Sequence, residues 1–232
     1  MSEPVKLTVR NNLSDSHQAA WESFSRPGTW WTAAERRAIV LETRNASSCA
    51  LCRDRAQALS PERSPEDAGD HEQLGLLAPE VAAIVHRIRT DPGRLSRAWF
   101  NAHVEGTLDH HAYVELVGVL TIATIIDVFR AATGQPSLDL AVSDYGDPTR
   151  KTTEYVVDDG AFVPIWKPKE EGAANIVRAL GLVPEERSRF WDVFGQHYVK
   201  RHTREWDAGR AITRPQMELI AARVSAINEC FY

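Results

Sequence analysis

The sequence is poor in sulfur, in charge of one sign and in long apolar runs, and each shortage excludes something. Among 232 residues there are two methionines and three cysteines, two of the latter in Cys49-Ala50-Leu51-Cys52. That is too few for the disulfide framework of a secreted domain; it fits a redox or metal pair in a reducing compartment. The longest apolar run, Leu116 to Ile126, is cut by Asp127 and falls short of the roughly 20 residues that cross a bilayer. The opening MSEPVKLTVRNN has no basic segment followed by an apolar stretch, so it does not read as a signal peptide. Lys and Arg number 27 against 32 Asp and Glu, and no basic face interleaved with aromatics argues for nucleic acid. A cytoplasmic protein is expected, with neither membrane nor nucleic acid as a partner.

What is present is helical period and helical punctuation. The chain is long enough to bury a core without covalent staples. Thr32 with Glu35 forms a capping-box pattern ahead of an amphipathic stretch, and Thr213 with Gln216 repeats it near the end. Pro79 opens a helix whose Val81, Ile84, Val85 and Ile88 share one face and which stops at Asp91-Pro92-Gly93. From Asp109 as N-cap to Gly134 as C-cap runs a helix that is apolar on nearly all sides, so it is expected at the centre of the core. Another long helix starts at Pro184. Residues 58–75 are polar and punctuated by Ser-Pro, hence a surface loop. Only TEYVVDDGAFVPIW alternates like a strand pair, around Asp159-Gly160. The predicted class is all-α, in two units, 1–140 and 141–232, with at most a small hairpin between them and 141–154 as the linker. A faint repeat supports the division: Glu35 to Cys49 and Glu218 to Cys230 share a leading Glu, a periodic helix, an Asn and a cysteine. Their spacings differ by two residues.

The chemistry concentrates at Cys49 and Cys52. Cysteines three apart lie on adjacent positions of a helical turn, within reach of a disulfide or a shared metal. Ser47 or Ser48 as N-cap would place Cys49 in a first turn, where the helix dipole favours a thiolate. That is worth about 0.3–1 kcal/mol, less than one pKa unit, so a further base or cation is required. Arg53 and Arg55 offer charge, and Glu42, two turns before Cys49 on the same face, offers a general base. Zinc would need two more ligands. His71, His86 and His103 stand at spacings that form no motif, so no metal and no other cofactor is expected. Glu35 is explained by its cap, and Asp109-His110-His111 by a helix start. Glu218 lies past the residue that completes its own cap, on a largely apolar helix, which makes it a second candidate carboxylate.

ERRAIVLETRNASSCALC followed by YVELVGVLTIATIIDVFRAATG resembles the alkylhydroperoxidase and carboxymuconolactone decarboxylase superfamily, most closely its alkylhydroperoxidase-related selenoprotein branch. The resemblance implies an all-helical bundle of the alkylhydroperoxidase-like type, a homo-oligomer, and the motif Glu-x11-Cys-x-x-Cys-x-x-x-His. It also implies reduction of hydroperoxides, with the second Cys or selenocysteine attacking peroxide, the first resolving to a disulfide or selenylsulfide, and an external dithiol as reductant. Glu218 and Cys230 have the Glu-to-Cys spacing of that motif, which implies Glu218 as relay base and Cys230 as resolving residue. On this reading the residue after Tyr232 is the second member of the pair, encoded by a selenocysteine codon read as a stop. In the first copy the motif's Glu position is Arg37 and its His position is Ala56. The intact pair thus lacks the motif's relay, with Glu35 and Glu42 nearby instead, and Cys49 and Cys52 are read as a second redox pair. Two other readings stand beside this one: a non-catalytic helical oligomer with a structural cysteine pair, and a carbon-skeleton enzyme of the decarboxylase branch.

Overall fold

A computed structural model of the chain describes residues 7–57, 71–167, 173–197 and 211–227. The described residues are mostly helical: α1 (Asn11–Ser23), α2 (Ala33–Ala46), α3 (Ala50–Gln57), α4 (Pro79–Thr90), α5 (Arg97–His103), α6 (His110–Ala132), α7 (Asn175–Arg178), α8 (Pro184–His197) and α9 (Arg214–Ile227). Two short antiparallel strands, β1 (Val156–Val157) and β2 (Ile165–Trp166), pair Val156 with Trp166 and Val157 with Ile165. The all-α class stands, with the hairpin where alternation placed it.

The helix boundaries follow the local chemistry. Thr32 and Glu35 make the reciprocal cap of α2, Glu35 N donating to Thr32 Oγ1 and Thr32 N to Glu35 Oε2. Asp109 caps α6 by accepting from His111 N at 2.8 Å. Gly134 ends that helix at φ +68°, a left-handed conformation that a Cβ disfavours. Thr213 N donates to Gln216 Oε1 at the start of α9.

The core is built around α6. By length and composition it is the one described helix apolar enough to cross a membrane, yet α1, α2, α4 and α8 pack around it. Leu116, Val119, Ile122, Ala123 and Ile126 are fully buried there against Ile39 and Val40 of α2, Val85 of α4 and Val193 of α8. An apolar coat this broad suits a helix packed by four others, although Val117, Thr121, Ile125 and Val128 form one strip that stays partly exposed. The bidentate pair from Arg44 to Asp127, both bonds 2.8 Å, ties α2 to α6, and Arg44 also donates to Leu138 O.

One polar cluster lies inside this core. Arg36 of α2 pairs with Glu115 of α6 and, at 2.7 Å, with Glu186 of α8, and all three side chains are sealed from solvent. The Thr29 and Trp30 amides donate to the other Glu115 oxygen. Gly28 lies so close to the Glu115 carboxylate and the Arg36 guanidinium that a Cβ would overlap both. The segment 141–154 returns to this corner: Asp144 N donates to Ser25 O, Thr149 N to Gly28 O and Arg150 N to Thr29 O.

Candidate functional site: a buried Cys-His cluster

α2 ends at Ala46, so Glu42 and Cys49 are not on one unbroken helix. No serine caps α3. Ser48 Oγ donates back to Asn45 O, and Cys49 itself sits at the entrance of α3, its carbonyl accepting from Arg53 N at 3.1 Å. This places Cys52, rather than Cys49, in the first turn, where orphan amides and the dipole are concentrated. Both thiols are buried and free.

The break between α2 and α3 is bridged by α4. His86, wholly buried in α4, places Nδ1 3.3 Å from Cys52 Sγ and Nε2 2.7 Å from Glu42 Oε1. Glu42 is oriented in turn: Asn45 Nδ2 donates to Oε1 at 2.9 Å and Leu74 N to Oε2 at 3.1 Å. With Nε2–H donating to the carboxylate, His86 presents an unprotonated Nδ1 to the sulfur. His71, in the segment leading to α4, places its Nδ1 3.5 Å from Cys52 Sγ and 3.7 Å from Cys49 Sγ. The ligand atoms of Cys49, Cys52, His71 and His86 all lie within 4.8 Å of one another, and all four residues are buried.

Arginines fasten α3 onto the end of α4. Arg55 Nη2 donates to Cys52 Sγ at 3.7 Å and to Thr90 Oγ1 at 3.2 Å, and Arg94 Nη2 donates to Arg55 O at 2.8 Å. Asp91 collects Arg87 at 3.2 Å and Arg94 at 2.7 Å. Arg53, the other cation expected near the pair, turns toward Ser48 O on the surface. Burial dominates the Cys52 thiol and pushes it up to about 11, so a neutral thiol rather than a thiolate faces His86.

Cys52 also lines a cavity of about 680 Å³ together with Ser47, Leu120, Thr121, Thr124 and Ile125. Its wall is mainly apolar, and the Thr124 hydroxyl in it is buried without a hydrogen-bond partner among the described residues. His71 lines a second cavity, about 620 Å³, with Trp99, His103 and Thr107.

Of the residues singled out in the sequence, the fold thus brings Glu42, Cys49 and Cys52 together. It does not bring Glu218 to them: that carboxylate is exposed on α9 beside Arg214 at 3.5 Å. Cys230 lies outside the described residues. His86 and His71 are the additions. The Cys-to-His spacings carry no recognised pattern, and the available signal was a histidine within the buried apolar face of α4. His103 stays apart, against Trp99. His111 stacks on Trp30 at 4.3 Å and His110 pairs with Glu105 at 3.0 Å, in keeping with a helix start. No family model, curated protein or solved structure matches this chain.

Proposed function

We propose that this protein is a thiol-dependent hydroperoxide reductase of the alkylhydroperoxidase-like type, with Cys52 as the attacking residue and Cys49 as the resolving one. The observation that carries the reading is the hydrogen-bonded chain Glu42–His86–Cys52, with a second thiol three residues away. A thiol held up near 11 by burial is unreactive unless a base takes its proton as it attacks. An imidazole at 3.3 Å whose far nitrogen is held by a carboxylate is built for that task. His86 thereby fills in space the role that the motif would give to position 56, and Glu42 the role it would give to position 37.

The steps balance as follows. Cys52 S–H loses its proton to His86 Nδ1, the sulfur attacks the terminal peroxide oxygen, and the O–O bond breaks. The alkoxide takes the proton, leaving an alcohol and Cys52 sulfenic acid. The Cys49 thiol then displaces water from that sulfenic acid, forming the disulfide, and an external dithiol returns both thiols. The apolar cavity against Cys52, with the unpartnered Thr124 hydroxyl in its wall, suits an organic hydroperoxide. Division into related units 1–140 and 141–232, homo-oligomeric assembly and a cytoplasmic setting belong to the same proposal, as does a redox role for Glu218 and Cys230.

The test is single-turnover reaction of the reduced chain with tert-butyl hydroperoxide, read by free-thiol loss and alcohol formation. The expected result is two thiols lost per peroxide in the parent. Cys52→Ser stops alcohol formation, and Cys49→Ser stalls at a sulfenic acid that dimedone traps. His86→Gln slows the first step by about 10²–10⁴. Alcohol formation unchanged in Cys52→Ser would overturn the proposal.

A further inference from the structure

We propose that Cys49, Cys52, His71 and His86 also form a tetrahedral S₂N₂ site for Zn²⁺, which the reduced chain binds and oxidation of the cysteine pair releases. Zn²⁺ takes thiolate sulfur at about 2.3 Å and imidazole nitrogen at about 2.0–2.1 Å, so the sulfur-to-nitrogen edge of a tetrahedral site is about 3.6 Å. Three of the four such edges, Cys52 to His86, Cys52 to His71 and Cys49 to His71, are 3.3, 3.5 and 3.7 Å. All four ligand atoms lie within 4.8 Å of one another. Both imidazoles turn the same nitrogen, Nδ1, to the sulfurs.

The groups around the ligands point the same way. His86 donates its other ring N–H to Glu42, and Glu42 is itself held by Asn45 and the Leu74 amide. A carboxylate on the far nitrogen of a histidine is the usual outer support of a zinc ligand, fixing its tautomer and raising its basicity. Two thiolates neutralise the dication, which lets it lie in a site where all four ligands are buried. Soft sulfur with imidazole selects zinc over the oxygen-seeking magnesium and calcium.

The proposed peroxide chemistry uses two of these ligands, and this inference rests on that reading only for metal release. Zinc-bound thiolates and the Cys49–Cys52 disulfide are mutually exclusive. One hydroperoxide and two protons convert the two thiolates to a disulfide, an alcohol and water, and the two electrons come from the sulfurs. Two neutral imidazoles remain, too few to retain the ion.

The experiment uses the full reduced chain freed of metal by chelator, titrated with Co²⁺ and then Zn²⁺. Thiolate-to-Co²⁺ charge transfer and intense visible bands are expected, saturating at one Co²⁺ per chain and erased by an equal amount of Zn²⁺. Glu42→Gln should weaken binding by about 10–100-fold, and His71→Gln should remove the tetrahedral spectrum while His103→Gln keeps it. Circular dichroism of each variant separates loss of a ligand from loss of fold. Adding tert-butyl hydroperoxide to the zinc-loaded chain should free one Zn²⁺, read with a chromogenic chelator, per two thiols lost. A parent chain that gives only the weak spectrum of octahedral Co²⁺ overturns the metal site, even if the metal-free protein consumes peroxide. A tetrahedral spectrum in a protein that leaves peroxide untouched retains the site and overturns the redox reading and peroxide-driven release with it.

Discussion

At the scale of single residues, a charge buried beside its partner behaves differently from the same charge at the surface. Glu42, Glu115 and Glu186 are wholly buried, and each is held by named donors. Arg36 sits between Glu115 and Glu186, and their two carboxylates hold its guanidinium above its ordinary value against the opposing pull of burial. Glu115 is raised, first by burial and then by the neighbouring Glu186. Replacing Arg36 by Met keeps the volume roughly and leaves the buried Glu115 carboxylate without its cation, while Glu186 retains only Arg189. The expected loss is about 3–5 kcal/mol in urea unfolding, the range for breaking a buried pair by removing one partner. Gly28→Ala should be destabilising for a separate reason, since its methyl group overlaps the Glu115 carboxylate and the Arg36 guanidinium. A lowered urea midpoint with unchanged slope would report it. By contrast, Arg214 and Glu218 are both about half exposed, and a pair of that kind contributes little.

Between elements, the join of α1 to α8 carries a pH dependence. His17 of α1 and His197 of α8 stack at 4.9 Å with Nε2 atoms 2.8 Å apart, and Phe129 of α6 packs edge-on against both. Burial, then His197, then Arg130 lower His17 from 6.5 to about 4, and burial lowers His197. A histidine whose folded value is depressed resists protonation in the fold and accepts it in the unfolded chain. Its contribution is therefore complete above pH 6.5 and is lost as pH falls toward 4. Urea midpoints should decline across that window, and His17→Phe should flatten the decline. An equally steep decline in His17→Phe would place the titration elsewhere. The same scale accounts for the candidate site, since α2 supplies Glu42, α3 Cys52 and α4 His86. Arginines 55, 87 and 94 gathered at Asp91 hold α3 against α4.

For the whole molecule, α6 is the common neighbour of α1, α2, α4 and α8. A cavity at its centre should weaken all of them together. Leu116 is fully buried there, and Leu116→Ala should cost about 2–5 kcal/mol. With α8 packed on the same helix as α2 and α4, the unfolding of this variant should remain one transition, coincident by far-ultraviolet circular dichroism and tryptophan fluorescence. Two separated transitions would mean that units 1–140 and 141–232 unfold independently.

Much of the architecture was written locally. Thr32 with Glu35, Pro79, Asp109 and Gly134 mark helix ends because a cap or a left-handed turn is settled within four residues. The even apolar coat of α6 announced a central helix because a helix packed by four neighbours leaves little room for a polar stripe. The role of α9 was less legible: its sequence echoes that of α2, yet none of its described residues is buried. The site was half legible. Cys49 and Cys52 declare themselves by spacing and Glu42 by proximity in sequence, although the break after Ala46 means that the connection runs through His86 rather than along one helix. By itself the sequence determined the helical class, the helix ends marked by Thr32, Pro79, Asp109 and Gly134, and the cysteine pair, all set by interactions between near neighbours. Only the tertiary structure decided that His71 and His86, 19 and 34 residues beyond Cys52, stand against the sulfurs. That outcome depends on how α4 packs across α2 and α3, which no local spacing records.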